Sequence, residues 1–304
     1  MNAAIETCGL TKRYGSLTAV AGLNLRVEPG QVFGFLGPNG AGKSTTIRML
    51  LALQRPTSGR AALLGLDAGR DCTEVHRRTG YLPGDLELFP RLTGRQHITW
   101  FARSRAMRDD TLARQLTERF QVITNQPVRE LSKGNRQKIG LVLAFMHQPE
   151  LLILDEPTSG LDPLMQHEFE NLLRETTAAG RTVFLSSHDL DEVQRITDRI
   201  AIIKDGRLVT EDTVDGLRRA APRRIEVQFR GPVDTADLRA LTGVTVTGTN
   251  GPRVTLDVTG EIGPVLKLIA SRDPVDLTAR PADLDELFLT FYRQPAQPEV
   301  TRAR

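Results

Sequence analysis

Apolar and polar positions follow two different patterns along the first two thirds of the chain. Short, nearly continuous apolar runs occur at 32–36, at 151–154 and in the segment TVFLSSH, which ends at His188. Runs of this length are typical of central strands in a parallel sheet, because such strands are covered on both faces. Residues 3–30 alternate instead, as in LNLRV before Pro29-Gly30, and alternation predicts antiparallel strands. The pattern therefore predicts an α/β fold.

Helical periodicity occupies most of 86–147, where RQHITWFARSRAM and TLARQLTERF are the clearest segments. This predicts a helical subdomain inserted between the strands of the core. Farther along, RIAIIKDGRLV predicts a hairpin that turns at Asp205-Gly206, since Asp-Gly is a favoured two-residue turn.

The pattern changes again after residue 217. The basic stretch RRAAPRR (218–224) contains a proline, and it predicts a solvated linker in preference to a phosphate or lipid contact. Beyond it, IEVQF and RVTLDV alternate as strands with helices between them, so a first domain at 1–217 and a small α/β domain at 225–304 are predicted. A last helix, ADLDELFLTFYR, has an apolar stripe that is more typical of internal core than of a partner surface, and the stripe consists of Leu284, Leu287, Phe288 and Phe291.

Composition narrows the possible functions. The 304 residues suffice for a sizeable core, and 40 Lys and Arg against 37 Asp and Glu leave a formal charge of only +3. These charges are interspersed, which favours an ordinary solvated surface over a nucleic-acid-binding face. The two cysteines, Cys8 and Cys72, have no metal-ligand spacing, and no apolar run approaches the roughly 20 residues of a membrane span. A cytoplasmic protein without nucleic acid is predicted, in which any membrane function requires a partner.

Residues 31–45, QVFGFLGPNGAGKST, have the spacing of a phosphate-binding P-loop. Gly37 is followed by four residues and then by Gly42-Lys43-Ser44, with an apolar strand before the loop and a helical pattern after it. Such glycines allow the backbone N–H groups to point at phosphates, and the helix N-terminus adds partial positive charge. We expect Lys43 to bridge the β- and γ-phosphates of a nucleotide and the Ser44 hydroxyl to hold Mg²⁺.

Two further segments predict the rest of a hydrolytic site. Asp155 and Glu156 emerge where the apolar run LLIL ends, and ligands of open α/β sheets bind beyond the carboxyl ends of the strands. Asp155 can hold Mg²⁺, and Glu156 can orient and deprotonate an attacking water. Adjacent acids can also be mere surface charge, but in a chain with a P-loop the functional interpretation is favoured. His188 ends another core-like strand on the same side, which favours a contact with the γ-phosphate.

These motifs, in this order, resemble those of the ATP-binding subunits of ABC transporters. GPNGAGKST looks like the Walker A motif, LLILDEP the Walker B motif, SGLD the D-loop and LSSHDLDEV the H-loop segment, while LSKGN at 131–135 stands where the family has its signature, LSGGQ. The resemblance covers residues 5 to about 217. It implies a P-loop NTPase core with an antiparallel β subdomain and an inserted helical subdomain at about 86–147. The region after the linker resembles, more weakly, the C-terminal domain of exporter ATPases.

The resemblance also implies a composite site. Ser132 and Gly134 begin a helix whose free N–H groups can bind an anion, and in the family they face the γ-phosphate held by a second subunit. Ser132 can cap its own helix as well. Tyr14 stands where the family stacks an aromatic ring on adenine. The residues expected to contact ATP are therefore Tyr14, Gly37, Pro38, Asn39, Gly40, Ala41, Gly42, Lys43, Ser44, Thr45, Ser132 and Gly134; those expected to contact Mg²⁺ are Ser44 and Asp155; and those expected to serve catalysis are Glu156, His188 and Lys43.

The sequence departs from the family pattern in two places. Lys133 and Asn135 replace the usual glycine and glutamine of the signature, and Lys133 adds a charge whose position near the phosphate is a hypothesis. In YLPGD, Gly84 stands where the family has a glutamine that contacts Mg²⁺ or water. Either Asp85 or a water substitutes for it, or the relay to the membrane partner differs.

The resemblance implies an ATPase that forms a dimer, expected to be a homodimer, and that acts with separate permease subunits at the inner face of the membrane. The C-terminal domain favours an exporter, although an importer ATPase uses the same motifs. A soluble ABC protein acting on ribosomes or DNA is the alternative, but the chain has one Walker A motif, and Lys43 and Ser132 are too close in sequence for an intervening coiled coil. A P-loop kinase or GTPase leaves the signature and His188 without a role. The sequence does not identify the transported substrate.

Overall fold

The computed structural model describes residues 3–280, which divide into two compact units between Glu211 and Asp212. The predicted last helix, with Leu284 and Phe288, lies outside the described residues. Within residues 3–280, no helix is both long enough and apolar enough to cross a membrane.

The first unit alternates strands and helices, and its last strand runs two residues past Glu211. Its strands are β1 (Ile5–Tyr14), β2 (Leu17–Val27), β3 (Val32–Leu36), β4 (Ser58–Leu63), β5 (Leu66–Asp67), β6 (Thr79–Leu82), β7 (Leu151–Asp155), β8 (Thr182–Ser187), β9 (Arg199–Lys204) and β10 (Arg207–Thr213). Its helices are α1 (Lys43–Leu50), α2 (Cys72–Arg78), α3 (Gly94–Ser104), α4 (Thr111–Arg119), α5 (Lys133–Phe145), α6 (Pro163–Ala178) and α7 (Leu190–Ile196), with a short 3-10 turn at Val128–Glu130.

A six-stranded sheet forms the centre of this unit, in the order β10-β9-β3-β8-β7-β6. The strands from β9 to β6 are parallel, and every residue of β3, β7 and β8 is buried. Phe33 and Phe184 stack in neighbouring strands with their ring centroids 5.9 Å apart. The prediction of an α/β fold with a P-loop NTPase core is confirmed.

The strand order decides which loops meet. Since β3, β8, β7 and β6 are adjacent and parallel, their carboxyl ends lie along one edge of the sheet. The P-loop follows β3, His188 follows β8, Glu156 follows β7 and Pro83 follows β6. The sheet therefore brings together four segments that are far apart in the sequence.

A second sheet of four strands, in the order β2-β1-β4-β5, is antiparallel, as the alternating pattern of residues 3–30 predicts. The turn between β9 and β10 lies at Asp205 and Gly206, with φ angles of 48° and 74°. Positive φ at both central residues is what a two-residue hairpin turn requires, and Asp-Gly tolerates it. The predicted hairpin is thus confirmed.

The helices α3, α4 and α5 lie between β6 and β7 in the sequence. Thr93 begins α3 with a reciprocal capping box to Gln96, and Val128, Leu131 and Ile139 form a small apolar cluster under α5. Asn135 in the first turn of α5 exchanges two hydrogen bonds with the backbone of Ile123, at 2.8 and 3.0 Å. The asparagine that replaces the family's glutamine therefore fastens α5 to the loop before it.

The second unit contains an antiparallel sheet in the order β12-β13-β11-β14, with a core of apolar side chains under it. Its elements are α8 (Val214–Ala220), β11 (Arg223–Gln228), α9 (Ala236–Ala240), β12 (Val244–Asn250), β13 (Arg253–Val258), α10 (Gly263–Ala270) and β14 (Asp276–Ala279). Residues 218–224, predicted as a solvated linker, run instead from the end of α8 into the start of β11. Ala221 between these two elements is buried, while Arg218, Arg219 and Arg223 in the same segment are exposed.

Candidate active site

A cavity of about 530 Å³ opens at the carboxyl edge of the six-stranded sheet. Its walls come from the P-loop and α1, from the segment after β6, from the acids after β7 and from the end of β8. Most of the predicted phosphate and metal ligands are among its lining residues, which are Ala19, Pro38, Asn39, Gly40, Gly42, Lys43, Ser44, Thr45, Arg48, Tyr81, Pro83, Gly84, Asp85, Lys133, Asp155, Glu156, Ser159 and His188.

The P-loop has the backbone shape that a phosphate cradle needs. Gly42 has a φ of 105° at the N-cap of α1, and a Cβ there would lie 2.5 Å from the carbonyl oxygen of Ala19, so only glycine fits. Ser44 and Thr45 then line the cavity in the first turn of α1, where backbone N–H groups have no partner within the helix. Lys43 is buried, and its ammonium donates to the carbonyl of Gly37 at 2.6 Å. The loop and its cation therefore form a positively charged pocket for an anion.

Asp155 ends β7 and is only 4% exposed. One of its carboxylate oxygens accepts a short hydrogen bond from the Ser186 hydroxyl of the neighbouring strand. The other lies against Gly84, where a Cβ would be 3.2 Å away. The glycine that replaces the family's glutamine thus leaves the carboxylate room, and Asp85 beside it lines the same cavity.

Glu156 lies between two cationic or proton-carrying side chains. Its Oε1 is 3.3 Å from the Lys43 ammonium, and its Oε2 is 2.8 Å from Nδ1 of His188. The carboxylate is partly accessible, at 22% of its side-chain surface, so a water can reach it. An acceptor with this access, next to the P-loop lysine, is suited to orienting a water toward a phosphate.

The backbone of Glu156 has a φ of 51°, in the left-handed region that residues other than glycine rarely adopt. Two neighbours hold it there. The buried amide of Gln137 on α5 donates to the carbonyls of Glu156 and Pro157, at 3.2 and 3.0 Å, and the Glu156 N–H points at Ser186. Backbone outliers of this type cost about 1–3 kcal/mol and concentrate at functional sites.

The start of α5 lies next to the D-loop of the same chain. The Ser132 hydroxyl caps α5 by accepting from the Asn135 N–H at 3.1 Å, and Lys133 donates to the Ser159 hydroxyl at 2.9 Å. A Cβ at Gly134 would lie 2.4 Å from the Gly160 carbonyl oxygen, so the two backbones pack directly on each other. Of residues 132–134, only Lys133 is among the lining residues of the cavity.

Two tyrosines near the site have different surroundings. Burial raises the pKa of Tyr81 to about 12, with the negative charge of Asp155 adding to the effect, so this phenol lines the cavity as a neutral group. Tyr14 is 46% exposed; its hydroxyl accepts a short hydrogen bond from the Gln54 amide, and the Lys12 ammonium lies 5.1 Å from its ring centroid. Tyr14 is not among the lining residues of the cavity, and its role as a base-stacking residue stays a prediction.

The donor set fits Mg²⁺ bound together with a nucleotide. Ser44 and Asp155 supply a hydroxyl and a carboxylate to the same cavity. Among residues 3–280, no three His, Cys, Asp or Glu side chains converge in a way that could hold a metal without help. Mg²⁺ is commonly held by one or two protein oxygens and by substrate phosphates, so these two ligands suffice.

Sequence reasoning missed Gln137 and Ser186 as supports of the site. A signal for Gln137 was present, since this polar residue shares a helix face with the apolar Leu141, four positions later. For Ser186 there was none, because a serine near the end of a buried strand is common and its partner depends on strand order.

Comparison with known proteins gives a consistent result. The family described as ABC transporter matches residues 20–159. The chain is 37% identical to the daunorubicin resistance ATP-binding protein DrrA3 of Streptomyces coeruleorubidus, over 94% of this chain and 95% of that protein. It is 38% identical to the bacitracin transport ATP-binding protein BcrA of Bacillus licheniformis, over 75% and 76% of the two chains. The Nod factor export ATP-binding protein I of Paraburkholderia xenovorans is 34% identical, over 97% and 99%.

Solved structures resemble about 70% of the chain. A structure of an ATP binding subunit of an ABC transporter superposes with a TM-score of 0.66 and 29% identity, over 71% of this chain and 92% of that chain. The dimeric bacterial ABC transporter cassette MJ0796 gives a TM-score of 0.63 at 23% identity, over 69% and 98%, which supports the fold.

Proposed function

The chain belongs to the ABC transporter family as one of its ATP-binding and hydrolysing subunits, and we propose that it drives a separate membrane permease for export by closing, with ATP, on a second copy of itself. The observation that carries this proposal is the cavity in which Lys43, Asp155, Glu156 and His188 meet. They come from three segments that are far apart in the sequence, the P-loop, the end of β7 and the end of β8. Together they supply a cation, a metal ligand, a base and a proton-carrying ring.

The residues have the following roles in hydrolysis. The P-loop amides and Lys43 hold the phosphates, and Glu156 orients a water in line with the γ-phosphorus and accepts its proton. His188, 2.8 Å from Glu156, orients this carboxylate and contacts the γ-phosphate. The new bond forms between the water oxygen and the γ-phosphorus while the bond to the β–γ bridging oxygen breaks, leaving ADP and phosphate. Ser44 and Asp155 would hold Mg²⁺, which would neutralise charge on the phosphate oxygens when bound.

The position of the signature segment supports the proposed dimer. Ser132 is exposed at the N-terminus of α5, outside the lining of the cavity that contains the P-loop of its own chain. A second copy, related by a two-fold axis, can place its Ser132 and Gly134 on the γ-phosphate, and the reverse contact forms at the same time. The phosphate lost on hydrolysis is then the group that joins the two copies, so closure follows ATP and reopening follows its hydrolysis.

The permease contacts an exposed apolar surface on the helical subdomain. Phe89 and Trp100 are 59% and 58% exposed, and with Pro90 and Leu92 they line a shallow groove of about 470 Å³. Large aromatic side chains exposed together are a feature of partner surfaces. The groove begins four residues after Asp85, which lines the nucleotide cavity, so a partner bound there is close to the site in sequence.

Export is supported by the relatives, whose printed names refer to daunorubicin resistance, bacitracin transport and Nod factor export. Two of the three align over almost all of this chain, the second unit included. The chain therefore works at the cytoplasmic face of the membrane, bound there through the permease.

The proposal is tested with Glu156→Gln, which keeps the shape of the side chain but removes its basicity. Turnover should fall at least about 100-fold while ATP binding remains, because only the proton acceptor is lost. With Mg-ATP the variant should then elute as a dimer in size-exclusion chromatography, and with ADP as a monomer. Lys43→Ala is the control, since it should bind ATP weakly and stay monomeric. A Glu156→Gln variant that hydrolyses ATP at the wild-type rate, or stays monomeric with saturating Mg-ATP and with its permease, refutes the proposal.

A further inference from the structure

A buried acid, Glu192, lies in α7 just after the H-loop histidine. It is only 7% exposed, and glutamates are rarely buried to this degree unless their charge has partners. It is not among the lining residues of the nucleotide cavity, so it does not contact the phosphates directly. Its position needs another explanation.

Both carboxylate oxygens of Glu192 accept hydrogen bonds from hydroxyl groups. Thr158 donates to Oε1 at 2.7 Å, and Ser187 donates to Oε2 at 2.8 Å. The two donors are 29 residues apart in the sequence and belong to different segments, since Thr158 directly precedes the D-loop and Ser187 ends β8. One carboxylate therefore ties these two segments together.

The two tied residues flank the reacting pair. Thr158 is two residues after Glu156, and Ser187 is directly before His188. Glu156 and His188 are themselves joined by the 2.8 Å contact. A second, buried connection therefore links the same two segments, and it runs from Thr158 through Glu192 to Ser187. A change in either connection shifts the other, since one or two peptide units separate them.

We propose that Glu192 is a positioning residue for hydrolysis, which sets the distance between the Glu156 carboxylate and the His188 ring by clamping Thr158 to Ser187. The inference rests on the proposed roles of Glu156 and His188. The inference extends these roles, because it gives a residue of α7 a part in orienting the Glu156 carboxylate.

The surroundings of the Glu192 carboxylate have opposing effects on its pKa. Burial raises the pKa of Glu192, and the nearby carboxylates of Asp189 and Glu156 add to the effect, while the two hydroxyl donors act in the opposite direction. The same two donors that bind the segments together therefore also stabilise the buried charge. A glutamine at this position has a carbonyl oxygen on one side and an NH2 group on the other. One of the two hydroxyls must then turn round to accept instead of donate, and it loses its charged acceptor, so that half of the clamp is weakened.

Steady-state ATP hydrolysis by Glu192→Gln tests the clamp. We expect kcat to fall about 10- to 100-fold, as for misplacement of a reacting group by a fraction of an ångström to one ångström, with KM for ATP within about twofold of wild type. The rate is divided by the fraction of chains that bind a fluorescent ATP analogue, so that loss of folded protein does not count. Thr158→Val and Ser187→Ala should each give part of the effect, because each removes one half of the clamp.

Glu170→Gln is the matched control. Glu170 lies on α6 with a side chain that is 13% exposed, and its carboxylate pairs with Arg195 of the same helix α7 at 3.1 Å. Its ion-pair partners, His167, Arg174 and Arg195, lie on α6 and α7. Glu170 therefore holds α7 through a residue outside the clamp, and kcat should stay within about twofold of wild type.

A double variant separates positioning from a general structural role. Single-turnover assays compare the effect of Glu192→Gln in the wild type and in a Glu156→Gln background. The substitution should lower the residual rate of the Glu156→Gln variant much less than it lowers the wild-type rate, because the carboxylate that Glu192 positions is already absent. An equal loss in both backgrounds, a loss shared by Glu170→Gln, or an unchanged kcat overturns the inference. If the wild type hydrolyses ATP and Glu156→Gln does not, these results leave the proposed function standing.

Discussion

Glu156 shows how much of a site depends on contacts that no local pattern contains. The sequence predicts an acid at the end of a buried strand, because apolar runs and their polar ends can be read directly. It does not predict the φ of 51° or the amide of Gln137 that maintains it, since that amide comes from a helix 19 residues earlier. Residue identity was thus predictable, and residue conformation was not.

A single residue, His147, should also make the unfolding free energy depend on pH. Burial lowers its pKa from 6.5 to about 4, and the neighbouring Arg105 charge adds to this. In the unfolded chain the histidine takes up a proton near pH 6.5, whereas in the folded chain it does so only near pH 4, so its stabilising contribution is complete above pH 6.5 and is lost as the pH falls toward 4.

The unfolding free energy should therefore fall by up to about 1.4 kcal/mol per pH unit from this group, and by about 3 kcal/mol in total. Urea unfolding of the wild type and of His147→Gln at pH 7.5, 5.5 and 4.5 measures it as the difference in slope. His167→Gln, at a histidine with a 62% exposed side chain, is the control for losing an imidazole. Parallel pH curves for the wild type and His147→Gln would contradict the assignment.

At the scale of elements, strands with unbroken apolar runs were predictable, and so was the Asp205-Gly206 hairpin. The order of the strands was not, because β3 pairs with β8 and β9, which follow it by about 150 residues of sequence. For the same reason, the packing of the start of α5 on the D-loop could not be foreseen. Each of the two segments looks like an ordinary polar loop when it is read alone.

Gly134 offers a test of that packing. An alanine in a helix is intrinsically favoured over glycine by about 1 kcal/mol, so propensity alone predicts that Gly134→Ala stabilises the chain. Its Cβ, however, would lie 2.4 Å from the Gly160 carbonyl oxygen, and overpacking costs about 1–3 kcal/mol. We expect the clash to prevail, with a lower unfolding free energy in urea and a lower ATPase rate. Gly263→Ala, at a helix start with no neighbour within 4 Å of the new Cβ, should be neutral or stabilising.

At the scale of the whole molecule, motif order predicted both the family and the ATPase activity, and both are confirmed by the comparisons. Such motifs are informative because each is expected to contact a phosphate group. The geometry of that group does not vary, so it restricts which residues can stand in the motif. The C-terminal region has no such constraint, and its sheet of alternating strands could be predicted only in part.

The trans arrangement belongs to this scale and is tested by mixing subunits. A dimer of Ser132→Ala with Lys43→Ala contains one site in which an intact P-loop meets an intact signature. An equimolar mixture of the two weakly active variants should therefore regain about a quarter of the wild-type ATPase rate, if half of the dimers are mixed and the sites act independently.

The control is the wild type mixed with a chain that carries both substitutions, since its mixed dimers have no intact composite site. Adding an excess of this double variant should suppress wild-type activity. If activity stays proportional to the amount of wild type, and the first mixture regains nothing, the sites are completed within one chain.

The exposed N-terminus of α5 has a consequence for the cell. Ser132 lies outside its own chain's cavity. In the proposed arrangement, a newly made copy that has not met its mate therefore lacks part of the machinery for turnover. Surplus unpaired subunits should consequently not consume cellular ATP, and hydrolysis should be confined to places where pairs assemble.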